Sequence, residues 1–183
     1  MSTAATDVGR FLQAPGPDPV LRLVVLDPAG VLAPAVQKAL RPEIVTLPAL
    51  VHEPLPPPSE TAENLPWALL AAADGSPGGA AFAAAVVQAV RAAQAAGTPP
   101  ARVLFCPGPA HGPQGVTAPS GDLLPCPVTL LLTDPDAGAV GVWQRLSPDG
   151  FTVRLLGPDA WSPARGLPVT ARLVKEELRI WPA

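Results

Sequence analysis

The chain has 183 residues, of which 48% are hydrophobic and only 15% charged, and its net charge is −3. Phosphate neutralisation by clustered Lys and Arg supplies most nucleic-acid affinity, so an acidic chain without a basic run argues against a nucleic-acid partner. No apolar run reaches the roughly 18 residues of a membrane span, and Met1 to Pro15 lacks the basic and apolar regions of a signal peptide.

These features suit a soluble protein, cytoplasmic or held within a soluble particle, whose two cysteines are free thiols. Twenty-seven prolines and 16 glycines approach the level at which unpatterned Pro and Gly signal disorder. The apolar runs between them argue instead for structured elements joined by stiff loops. Length favours one folding unit: an arm or linker at residues 1–19 and a single domain at 20–183.

In chain order, a short helix is expected over Thr6 to Gln13, and the Pro-rich stretch after it ends any helix. Leu21 to Leu26 reads as a buried parallel strand. Asp27-Pro28-Ala29-Gly30 turns the chain into a helix over Val31 to Leu40, where Leu32, Val36 and Leu40 recur at helical spacing. Ile44 to Leu47 resumes as strand. From His52 to Pro66 the prolines predict an exposed loop of extended geometry. Trp67 to Ala73 reads as strand, or as the continuation of a helix begun at Ser59 to Asn64.

A helix over Ala80 to Ala96 is better specified. Ser76 is placed to cap it, Pro77 suits its first turn, and Gly97 with Pro99 and Pro100 ends it. Phe82, Val86 and Val90 share one side, and Gln88, Arg91 and Gln94 the other. Arg102 to Cys106 is the next strand. With the Pro-rich loop over 108–127, it closes the β-α-β part at 20–107.

Residues 128–183 change character. Val128 to Thr133, Val140 to Leu146 and Phe151 to Leu156 are β-rich runs, and Ser147-Pro148-Asp149-Gly150 is a turn sequence suited to a hairpin. Val169 to Trp181 reads as a final strand broken at Lys175-Glu176-Glu177. The expected fold is therefore α/β with a mixed sheet: two N-terminal β-α-β units followed by a C-terminal antiparallel meander.

Candidate sites are few. The Gly-rich turn Gly75 to Gly79 opens a helix, but no Lys-Ser/Thr pair follows, so a structural corner is favoured over a phosphate cradle. Cys106 stands at the carboxyl end of a strand with His111 five residues on, a pairing that would activate a thiol if the two met. Cysteine is also a common buried apolar residue. Asp27 and Asp74 follow strands at the edge where open sheets bind ligands, although an Asp there often caps the next turn. The spacing of Cys106, Cys126, His111 and His52 matches no common zinc pattern, and no cofactor or metal is expected.

Trp143, Trp161 and Trp181 are core residues or interface anchors. The charge-poor exterior favours a non-enzymatic subunit packed among other protein subunits, homo- or hetero-oligomeric. Its interface candidates are Gln88, Arg91, Gln94 and the three tryptophans, and a phage virion, tail or injection-type machine is the guess among assemblies. The rivals are a small enzyme using Cys106 with His111, or Asp27 with Asp74, and a ligand-binding or regulatory α/β domain.

Overall fold

Residues 21–40, 44–49, 65–73, 79–107, 123–133, 137–147 and 150–179 are described by the computed structural model. The arm at 1–19 and most of the two long Pro-rich stretches lie outside them. Leu21–Leu26 is buried at every position and forms strand β1. It is followed by helix α1 (Leu32–Leu40), β2 (Ile44–Ala49), β3 (Trp67–Ala72), helix α2 (Gly79–Ala95) and β4 (Arg102–Cys106). Strand β5 (Val128–Leu132), helix α3 (Ala137–Leu146), β6 (Phe151–Leu155) and helix α4 (Gly166–Arg179) complete the chain order.

The six strands form one sheet in the order β2-β1-β3-β4-β5-β6, and every pairing is parallel. Parallel strands covered by helices on both faces need apolar side chains on both faces. The continuous burial of β1 and β5, and of β4 after Arg102, follows from that requirement.

From β1 the chain winds through α1 to β2 on one side; from β3 it winds through α2 to β4 on the other. Right-handed crossovers that run in opposite directions place their helices on opposite faces. Accordingly Leu32, Val36 and Leu40 of α1 pack with Leu23, Val25 and Leu70 in one core layer. Ala83, Val86, Val87 and Val90 of α2 pack with Val24, Leu69 and Val103 in the other. Helix α3 joins the α2 layer and α4 the α1 layer.

There is no antiparallel meander among the described residues. Val140 to Leu146, expected as strand, belongs to α3. Its β-branched and aromatic residues favour strands by composition, but Val140, Trp143 and Leu146 are spaced three apart and turn one helical stripe toward the core. Trp143 is fully enclosed, with its ring 4.7 Å from that of Phe105. The expected final strand is helix α4, in which Leu167, Ala171, Val174 and Leu178 form a buried helical stripe. The chain therefore passes from helix α3 to strand β6 where a hairpin was expected. Between them the Ser147 hydroxyl donates to the Cys126 carbonyl at 2.9 Å, and the Gly150 carbonyl accepts from Val128 N–H at 2.7 Å. Phe151–Leu155 is a strand as expected, but it pairs parallel to β5 at the edge of the sheet.

Two glycines hold the ends of helices. Gly97, at φ +78°, ends α2: its N–H donates to the Gln94 carbonyl and Thr98 N–H donates to the Ala93 carbonyl, both at 2.9 Å. That pair of bonds is the Schellman arrangement, which favours glycine in the left-handed region. Gly166 begins α4 with no room for a side chain, because a Cβ there would lie 1.6 Å from the Asp159 carbonyl oxygen.

Candidate functional site at the carboxyl edge

In open α/β sheets a crevice forms outside the carboxyl ends of the strands where the winding reverses, because the loops that leave the two central strands diverge to opposite faces. Here the reversal lies between β1 and β3. The register Leu26↔Ala71 and Ala72↔Cys106 sets the ends of β1, β3 and β4 side by side. Ala73 N–H continues this edge by donating to the Cys106 carbonyl at 2.8 Å. Strand β3 closes on Ala71 and Ala72, with Ala73 next in the chain, and all three are buried.

Asp27 follows β1 at this edge. Its Oδ2 accepts from Leu32 N–H at 2.7 Å and Ala33 N–H at 2.8 Å, satisfying amides that open α1. Its backbone carbonyl accepts from Gly30 N–H at 2.9 Å, which closes the turn. The carboxylate sits favourably at the positive end of the helix. Asp27 is therefore a capping residue.

Cys106 is fully buried and packs in the α1/α4 core layer. Burial, reinforced by the nearby Asp27 carboxylate, pushes its thiol far above the ordinary thiol range. A nucleophilic cysteine needs thiolate character and access, and Cys106 has neither. Cys126 is likewise free and buried; burial pushes it up to about 12, opposed by the Arg102 charge. His111, His52 and Asp74 lie outside the described residues, as does the Gly-rich turn apart from Gly79. No group of three or more His, Cys, Asp or Glu that could hold a metal ion occurs among the described residues.

The same edge carries a cavity of about 240 Å³ beyond β6, between the 156–166 loop and the first turns of α4. Its walls include Leu156, Ala160, Val169 and Leu173, with Asp159 and Arg165 also lining it. Gly166 N–H and Leu167 N–H both donate to the Ser162 carbonyl, and Pro168 has no N–H. The start of α4 thus presents spent or missing donors, and the cavity is an apolar recess rather than an anion cradle.

Of the expected interface residues, Gln88 and Gln94 are exposed on α2, and Arg91 is half-buried. Trp143 is core. Trp161 is half-buried and packs against the α1/α4 layer, and Trp181 lies outside the described residues.

One polar cluster escaped sequence reasoning. Glu177, buried on α4, accepts from Arg102 Nη1 at 3.3 Å and Thr129 Oγ1 at 3.2 Å, and it pairs with Arg154 Nε through its other oxygen. Arg102 also donates to Thr129 Oγ1 at 3.0 Å. A helical reading of 166–179 would have placed Glu177 on the inner side, three residues after buried Val174. The strand reading made it part of a charged interruption.

No protein-family model matches the chain, and no curated protein matches it. The fold and its edge define the class: an open, doubly wound, all-parallel α/β domain. No helix among the described residues is long and apolar enough to cross a membrane.

Proposed function

We propose that the chain is a ligand-binding α/β domain whose site is the crevice outside the carboxyl ends of β1 and β3. The observation that carries this reading is the reversal of strand order at β1/β3, the position at which ligands of open α/β sheets settle. Binding without thiol chemistry is favoured, because Cys106 is enclosed and protonated and Asp27 is committed to the cap of α1. The support is one of fold geometry.

An assembly-subunit role has less behind it. Its motive is a charge-poor, Ala/Pro-rich exterior, and the exposed large apolar residues among those described, Val31, Leu123, Leu155 and Val169, stand on four separate segments of the chain. Apolar residues scattered singly over a surface are ordinary.

The test is amide NMR on the isotope-labelled chain, titrated with a panel of nucleosides, organic acids and small amines. Ligands that bind are expected to shift the amides of Asp27, Ala29, Gly30, Ala72 and Ala73. Ala29→Trp, at an exposed turn position, is expected to block them without disturbing the core. Binding centred on Arg22, Trp67 and Arg102 at the opposite end of the sheet would refute the assignment, and so would a panel without any binder.

A further inference from the structure

We propose that β6 is a dimerisation edge, on which a second copy of this chain adds its own β6 in antiparallel pairing. Among the described residues β6 pairs only with β5. Leu156 N–H donates to the Leu132 carbonyl and the Gly150 carbonyl accepts from Val128 N–H. Along a strand the direction of the backbone groups alternates, so residues 150, 152, 154 and 156 turn theirs toward β5. Phe151, Val153 and Leu155 consequently turn their N–H and C=O groups outward, away from the sheet.

An open row of this kind is a template for another strand. Strand β6 has no proline or lysine, and its one charged side chain, Arg154, is tied to Glu177. The other edge differs, since β2 carries Pro48, which has no N–H to offer.

The occupant is a second copy because the strand is complementary to itself. A two-fold axis through Val153 sets Val153 against Val153 of the second copy, and Phe151 against its Leu155. All the outward N–H and C=O groups of residues 151, 153 and 155 then find partners across the axis. Thr152 falls opposite Arg154, so no like charges face each other across the seam. Leu155, 61% exposed, gains the Phe151 ring of the second copy as cover. A closed two-fold pairing of this kind is the commonest form of homo-oligomer.

The experiment is light scattering coupled to size exclusion on the full chain over a range of concentrations. The expected mass is twice the 18.6 kDa of one chain. Val153→Pro removes an outward N–H while sparing the bonds to β5, and it is expected to return the mass to one chain with an unchanged circular dichroism spectrum. Leu155→Lys, at an exposed position that cannot disturb the core, is expected to do the same and decides the matter if the proline variant does not fold. A wild-type chain that stays monomeric at every concentration, or a dimer that survives Leu155→Lys, would overturn the proposal.

Discussion

The two ends of the sheet differ in how they use polar groups. At the amino end Arg22 and Arg102, near the starts of their strands, are both turned inward: Arg22 Nη2 donates to the Leu65 carbonyl at 3.1 Å, and Arg102 joins the Glu177 cluster. At the carboxyl end the described crest of β1, β3 and β4 holds alanines, an enclosed thiol and one aspartate spent on a helix cap. Charge at the amino end is consumed in holding the fold together.

The largest expected effect breaks the amino end. Glu177→Ala removes the carboxylate that Arg102, Thr129 and Arg154 share, and loss of one member of a buried ionic cluster costs about 3–5 kcal/mol. Urea denaturation should show a drop of that size, and a loss of less than about 1 kcal/mol would place the cluster among weak surface pairs.

At the carboxyl end Asp27→Ala should cost about 1 kcal/mol, the usual worth of a helix cap. Asp27→Asn, which keeps an accepting oxygen, should recover most of it in the same assay. Arg154→Ala should be the mildest, below about 1 kcal/mol, because that side chain is 44% exposed and its ion pair is screened by solvent.

Alkaline pH sharpens the contrast in another way. Cys126 has an ordinary thiol value of 9.0 that burial raises to about 12. Its raised folded value means that its contribution to stability is fully present below pH 9.0 and is lost as pH climbs toward about 12. Urea midpoints measured across that window should fall less steeply for Cys126→Ala than for the wild type.

How much of this was legible in the sequence depends on which force shaped each segment. Strands β1, β3 and β4 are buried on both faces, so each shows as a continuous apolar run. Helix α2 shows through its Gly97 terminator and the apolar line of Phe82, Val86 and Val90. The C-terminal third misled because Val140, Val142 and Trp143, and later Val169 and Val174, favour strands by type, whereas the core positions, Val140, Trp143 and Leu146 and then Leu167, Ala171, Val174 and Leu178, recur at helical spacing and packing decides the outcome. The turn residues 147–150 strengthened the error by suggesting a hairpin. At the carboxyl edge, Asp27 as a cap and Cys106 as a buried apolar residue were both readable alternatives. The Glu177 cluster was not, because Arg102 and Glu177 are 75 positions apart and no local pattern joins them.

The carboxyl edge is proposed to bind without thiol chemistry, and the most direct test is the reactivity of Cys106 in a Cys126→Ala background. The folded variant should remain unmodified by iodoacetamide at neutral pH, read by intact mass, and should take up one equivalent only after denaturant is added. Rapid stoichiometric modification of the folded chain would show an accessible thiolate at that edge and contradict the account.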